Sequence, residues 1–296
     1  MYTQIARNKR LSLVLIAAFV VLISVLGYLI SAAFGRSYYI VPIVMVSLAY
    51  AAISYFASAK IALAMSGARE VQKADAPELY RVVENLAIAG GLPTPRVYII
   101  EDDSPNAFAT GRDPEHAVVA VTTGLLQMMT KPELEGVIAH ELSHVGNYDI
   151  RFMAIVVALV AVISIISDLF LRLTFWGSLL GDDEEDSGAN PLFIGLAIIG
   201  AVLAPIIAVL VQLAVSRQRE YLADSSGALL TRYPDGLASA LAKIGSYAKP
   251  MEHATSATAH LYIANPLKGR SLAGLFDTHP PLEERIKRLQ QMENQP

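Results

Sequence analysis

The stretch His140-Glu141-Leu142-Ser143-His144 decides how this chain is read. Residues four apart on a helix share a face, so His140 and His144 present two imidazoles to one point. Glu141 stands where a carboxylate can take a proton from an attacking water, the H-E-x-x-H arrangement of zinc-dependent proteases. Local signals support the helix. Thr130 is an N-cap residue, Pro132 suits the first turn, and Glu133 and Glu135 favour the positive end of the helix dipole. Leu134, Val137, Ile138 and Leu142 form a core-facing side, and Gly146-Asn147 is a stop signal. A surface helix with two ordinary histidines is the competing reading, so the choice turns on a third ligand.

A catalytic zinc takes three protein ligands and keeps a fourth position open. The pattern with a third histidine just downstream needs a glycine at 147 and a histidine at 150. The chain has Asn147 and Ile150, which leaves a glutamate on a second helix. Glu220, in Arg217-Gln218-Arg219-Glu220-Tyr221-Leu222-Ala223-Asp224, is the candidate. Glu220 and Asp224 share a helix face, so one carboxylate can bind metal while the other holds a ligand histidine through its second ring nitrogen. The competing reading of that run is a solvated charged helix. The acidic run from Asp182 to Asp186 reads as a loop. One Zn2+ per subunit is the predicted cofactor.

Composition sets the class. Of 296 residues, 54% are hydrophobic and only 17% charged, with a mean hydropathy of +0.44. These values point to a membrane protein. A net charge of -4 shows no nucleic-acid footprint. There are no cysteines, which excludes disulfides, thiolate ligands and cysteine nucleophiles.

Four apolar runs have the length of a bilayer span: about 11–34, 38–59, 152–171 and 192–215, all uncharged except the third, which holds Asp168 near one end. The first is too long for the apolar region of a cleaved signal peptide and is read as an anchor. They divide the chain into an N-terminal hairpin (1–59), a first soluble portion (60–151), a second hairpin (152–215) and a second soluble portion (216–296). Arg7, Lys9 and Arg10 place the N-terminus in the cytoplasm, and pairs of spans then return both halves of the metal site to that side. The Asp168/Arg172 pair reads as an interfacial boundary with Trp176 nearby.

Within the soluble portions, Pro77 to Ala89 has helical periodicity, and Val97 to Ile100 and Ala117 to Thr122 read as strands. Asn106, Ala107, Phe108 and Ala109 are assigned to an edge strand that binds substrate backbone by strand addition; an ordinary strand or turn is the alternative. Leu222 to Leu230 continues the Glu220 helix, Pro234-Asp235-Gly236 reads as a turn, and Leu237 to Ala248 as a helix. Thr278-His279-Pro280-Pro281 holds a histidine in a defined turn before a polar helix from Leu282 to Met292. There His279 is a candidate donor to the oxyanion, with a capping or solvent-facing role as the alternative.

The H-E-L-S-H helix, S-R-Q-R-E-Y-L-A-D, N-A-F-A-T-G and T-H-P-P-L-E-E-R-I together resemble the HtpX heat-shock membrane proteases, relatives of the CaaX prenyl endopeptidases. The resemblance covers nearly the whole chain. It implies a zinc endopeptidase of the bacterial inner membrane that degrades damaged or misfolded membrane proteins, with its active site facing the cytoplasm. Carried over by position, His140, His144 and Glu220 match the zinc ligands, Glu141 the base, Asp224 a supporting acid, and His279 the family's H-P-P element. The predicted fold class is mainly α with a small β-sheet: an integral membrane protein with four transmembrane helices and a cytoplasmic zincin-like (gluzincin) protease domain. A prenyl-peptide endopeptidase, a membrane adaptor or chaperone without chemistry, and a transporter are the alternatives. An adaptor predicts a broken ligand set and a transporter predicts charges mid-span; neither is evident.

Overall fold

The computed structural model describes residues 2–33, 40–156, 217–255, 258–267 and 280–293, with isolated positions 159, 160, 163, 172 and 195. Two long helices come first, α1 (Tyr2–Ala33) and α2 (Ile40–Met65). Then follow β1 (Arg69–Glu70), α3 (Pro77–Ala89), β2 (Arg96–Ile100), β3 (Ala107–Thr110), β4 (Val118–Thr122), α4 (Thr123–Met128) and α5 (Lys131–Gly146). After the undescribed stretch come α6 (Arg217–Thr231), α7 (Pro234–Ser246) and α8 (Leu282–Glu293). The described chain is mainly helical with one small mixed sheet.

The sheet order is β1-β2-β4-β3, with β2 and β4 parallel and the outer pairings antiparallel. Apart from the short exposed β1 and Arg96 at the start of β2, the strands are buried without alternation because both faces are covered. Val97, Ile99, Val119 and Val121 pack against α3 and α5. Tyr98, Ile100, Phe108 and Ala120 pack on the other face with Tyr262, and with Ala62 and Leu63 from the end of α2. The N-terminal hairpin is thereby tied into the domain core.

Large apolar side chains are exposed mainly on the first two helices, for example Leu13, Val14 and Val21 on α1, and Val41, Val46 and Phe56 on α2. Elsewhere among the described residues only Ile88, Leu229 and Tyr233 are comparably open. Among the described residues one helix is long and apolar enough to cross a membrane: α1, over Ile5–Val25, with mean hydropathy 1.9. The described residues therefore show one candidate span where the sequence of the whole chain predicts four. α2 occupies the second predicted run, and the third and fourth lie outside the described residues apart from a helical segment over 149–156 and the isolated positions.

Local boundaries shift at two places. The strand expected over Asn106–Ala109 runs over Ala107–Thr110. Pro234-Asp235-Gly236 is the first turn of α7 and not a separate turn, because proline's fixed φ suits a helix start. α5 packs against both α6 and α7, and glycines permit the approach. A Cβ on Gly136 would stand 2.7 Å from the Leu237 backbone nitrogen, and one on Gly227 would stand 2.9 Å from that of His140.

Glu133 exceeds its expected dipole role. Its Oε2 accepts from the Thr130 N–H at 2.7 Å, the Thr130 hydroxyl at 2.8 Å and Lys243 Nζ at 2.6 Å, so it both caps α5 and pins α7 to it. Burial works against the charge, but Lys243, Ser239 and Thr130 outweigh it and hold the carboxyl at about 2. The folded state thus has the lower pKa. This contribution to stability is complete above about pH 4.5 and is lost as pH falls towards about 2. Glu133→Gln should cost about 2–3 kcal/mol near neutral pH, after allowing for the partly exposed lysine. Melting temperatures of parent and variant should draw together below about pH 4.5 and converge only as pH approaches about 2; an undiminished gap there would refute the assignment.

Candidate metal centre

α5 carries His140, Glu141 and His144 on its buried side, and the first two turns of α6 bring Glu220 and Asp224 against it. All five side chains are buried. The His140 and His144 Nε2 atoms lie 3.2 Å apart. Glu220 faces both, with Oε2 3.7 Å from His140 Nε2 and Oε1 3.6 Å from His144 Nε2. The ligand atoms of these three residues all lie within 4.8 Å of one another.

The outer nitrogens decide what this cluster accepts. His140 Nδ1 lies 3.0 Å from Asp224 Oδ1, and His144 Nδ1 lies 3.1 Å from Asp149 Oδ2. Burial opposes ionisation of Asp224, but the Arg285 guanidinium keeps its carboxyl below the ordinary range. An ionised carboxylate can only accept, so each ring places its proton on Nδ1 and turns the Nε2 lone pair inward. Two lone pairs and a carboxylate then converge on one point, which is stable only with positive charge there. Burial alone would lower the His144 pKa; its hydrogen bond to Asp149 and the Glu220 charge raise it to about 9. A proton meets this demand weakly, whereas a divalent cation meets it with three ligands. The donor set fits a metal ion.

Glu141 is held differently. Its Oε2 accepts from the Ala109 N–H at 2.7 Å. Its Oε1 is buried with no hydrogen-bond partner among the described residues. Burial pushes this carboxyl up to about 7; His144 opposes the rise and Glu220 adds to it. A carboxylate with one oxygen anchored and one free, titrating near neutrality, can take a proton and return it.

Residues 73–293 match the peptidase family M48. The chain belongs to peptidase family M48. It is 48% identical over its whole length to a protease HtpX homolog of Tropheryma whipplei, covering 99% of that protein. It is 45% identical to a protease HtpX homolog of Ligilactobacillus salivarius, covering 99% of this chain and all of that one. The crystal structure of S. mikatae Ste24p shares the fold, with a TM-score of 0.51 at 20% identity, over 98% of this chain and 67% of the other. The M48 assignment and the His-His-Glu cluster together make the chain a metallopeptidase.

Two residues of this M48 site were not singled out in the sequence. Asp149 falls in the first soluble portion, with no role assigned to it. Arg285 falls in the polar helix from Leu282 to Met292, yet it is 0% exposed. It donates to both Asp224 oxygens at 2.7 and 2.8 Å and to the Ile263 carbonyl at 2.8 Å, and its Nη1 lies 3.6 Å from Glu220 Oε2. A signal was present for each: a metal-binding histidine needs an acceptor for its second nitrogen, and Arg285 falls inside T-H-P-P-L-E-E-R-I. His279 lies outside the described residues.

Asn106 to Ala109 run beside Glu141, and three of their outward groups are in use. The Ala107 N–H donates to Asn106 Oδ1, the Ala107 carbonyl accepts from the Ile263 N–H at 3.0 Å, and the Ala109 N–H holds Glu141. Phe108 packs edge-on against Tyr262.

The approach at Gly227 yields a prediction. Alanine favours a helix over glycine by about 1 kcal/mol, but a Cβ at 2.9 Å from the His140 backbone forces the helices apart. Overpacking costs about 1–3 kcal/mol, so the clash wins. Gly227→Ala should lower the melting temperature and, because Glu220 rides on the same helix, reduce bound metal as well. Parental values of both would show that the contact relaxes freely.

Proposed function

We propose that this chain is a zinc-dependent endopeptidase of the bacterial inner membrane, cleaving misfolded or damaged membrane proteins on the cytoplasmic side. The observation that carries the reading is the convergence of His140, His144 and Glu220 beside the free oxygen of Glu141. His140, His144 and Glu220 would hold the ion, and Asp224 would orient His140. When bound, zinc supplies Lewis-acid polarisation of the scissile carbonyl and makes an attacking water more acidic. Glu141 Oε1 accepts the water proton and passes it to the leaving amine nitrogen. His279 is assigned to the oxyanion, on sequence grounds.

Substrate backbone would align along Asn106 to Ala109. The small side chains of Ala107 and Ala109 select little, which suits unfolded segments of many sequences. Pairing at Ala107 requires residues 262–264 to release its carbonyl. The apolar surfaces of α1 and α2 fit a lipid bilayer, and the basic residues Arg7, Lys9 and Arg10 at the start of α1 support a cytoplasmic N-terminus. The four spans and the two-part protease domain belong to the same proposal.

The test uses the purified full-length chain. Metal analysis should return zinc at about one ion per chain. An unfolded membrane protein and casein should be cut, with cleavage lost to a chelator and restored by zinc. Cleavage confined to a farnesylated peptide would move the reading to a prenyl-peptide endopeptidase, and zinc without any cleavage would favour an adaptor.

A further inference from the structure

The metal centre is gripped by two clamps from opposite ends of the chain. His140 is oriented by Asp224, which Arg285 of α8 holds. His144 is oriented by Asp149, and the hold on Asp149 comes from the first helix.

Asn8 is a buried amide among exposed charges: it is 3% exposed, while Arg7, Lys9 and Arg10 on either side face outward. Its Nδ2 donates to Asp149 Oδ1 at 2.6 Å and to the Asn147 carbonyl at 2.9 Å. Both partners are acceptors, so the amide orientation is decided and both hydrogens of the nitrogen are used. Asn147 closes α5. Between the two acceptors lies Tyr148 at φ 60, a left-handed backbone that is uncommon for a bulky residue and persists only when its surroundings hold it. This turn brings the Asp149 carboxylate back over the helix end to His144. Asn8 grips the residue on each side of it, and Lys9 Nζ sits 4.2 Å from the centre of the Tyr148 ring. Asp149 Oδ1 also faces Arg219 Nε at 3.5 Å.

We propose that Asn8 is a positioning residue for the metal ligand His144, acting through Asp149, so that the N-terminal helix forms part of the site as well as an anchor. This rests on reading His140, His144 and Glu220 as the metal centre. The role calls for a neutral group with two donors on one atom. Aspartate has the same shape and offers none; alanine reaches nothing. Ser12, one turn further along the same buried face, donates to the Asn8 carbonyl, its one side-chain bond among the described residues, and serves as the control.

The test is zinc affinity of the full-length chain, measured by competition with a chromophoric chelator and checked against the melting temperature of the metal-free form. Asn8→Ala and the isosteric Asn8→Asp should each weaken zinc binding by roughly tenfold to a hundredfold, the usual effect of losing an outer partner of a ligand. In an Asp149→Asn background the same changes should add little, because the path to His144 is already cut. Ser12→Ala should bind zinc as the parent does. A loss of general stability would shift melting in both backgrounds without this non-additivity. Parental affinity in the Asn8 variants while His144→Ala loses zinc would overturn the proposal alone. Equal losses with and without Asp149→Asn would do the same. A parent chain that takes up no zinc would overturn the metal-centre reading with it.

Discussion

Replacing Glu141 by glutamine is expected to leave divalent metal bound at parental stoichiometry while lowering the rate of peptide cleavage by roughly 10²–10⁴-fold, the range over which positioned acid–base groups act. The change is nearly isosteric. The glutamine carbonyl can still accept the Ala109 N–H, which now meets Oε2 at 2.7 Å, so the link between α5 and β3 survives. The oxygen opposite, buried and with no hydrogen-bond partner among the described residues, becomes a group that cannot take a proton. Burial holds the native carboxyl at about 7, which suits it to accept a proton from water and return it at neutral pH. Single-turnover cleavage on metal-replete enzyme is the measurement. Retained cleavage in a preparation free of other proteases would remove Glu141 from the proposed role, and loss of metal would recast it as a structural group.

Glu220→Ala is expected to act one step earlier, by emptying the site. The Glu220 carboxylate faces both inward nitrogens at 3.6 and 3.7 Å, and without it only two imidazoles remain. Two ligands are fewer than catalytic zinc sites provide. Removing a ligand must cost at least as much as removing an outer partner, so affinity should fall well beyond a hundredfold and cleavage should vanish with it. Asp224→Asn should show the lesser effect on metal, since it removes no ligand and acts through the proton on His140 Nδ1 and the pairing with Arg285. Metal content after dialysis ranks the three proteins. Full zinc retention by the Glu220 variant would mean that the third ligand lies elsewhere.

The contrast between the two glutamates shows what kind of information each position carries. Both follow a basic or histidine residue on a helix, and nothing within a few residues distinguishes base from ligand. The proposed role of Glu141 as base rests on β3 tying one of its oxygens and leaving the other. Glu220 faces the imidazoles because α6 crosses α5 at Gly227, close enough to exclude even a methyl group.

Local order was readable from the sequence alone. Thr130, Pro132, Gly146 and Asn147 delimit α5, and the apolar rhythm of Pro77 to Ala89 delimits α3, because caps and periodicity act within a few residues. The two histidines on one face follow from helix geometry, and the need for a third ligand follows from the metal. The sequence could not rank the acids that support the centre. Nothing local in the chain marks Asp149 or Arg285, and their burial is stable only because partners distant in sequence, Asn8, Asp224 and the Ile263 carbonyl, arrive to satisfy them. Charge and hydrogen-bond satisfaction at a buried site belong to the packed state. The tertiary structure therefore decided which charges point inward, which imidazole nitrogen carries the proton, and that both ends of the chain close on the same ion-sized gap.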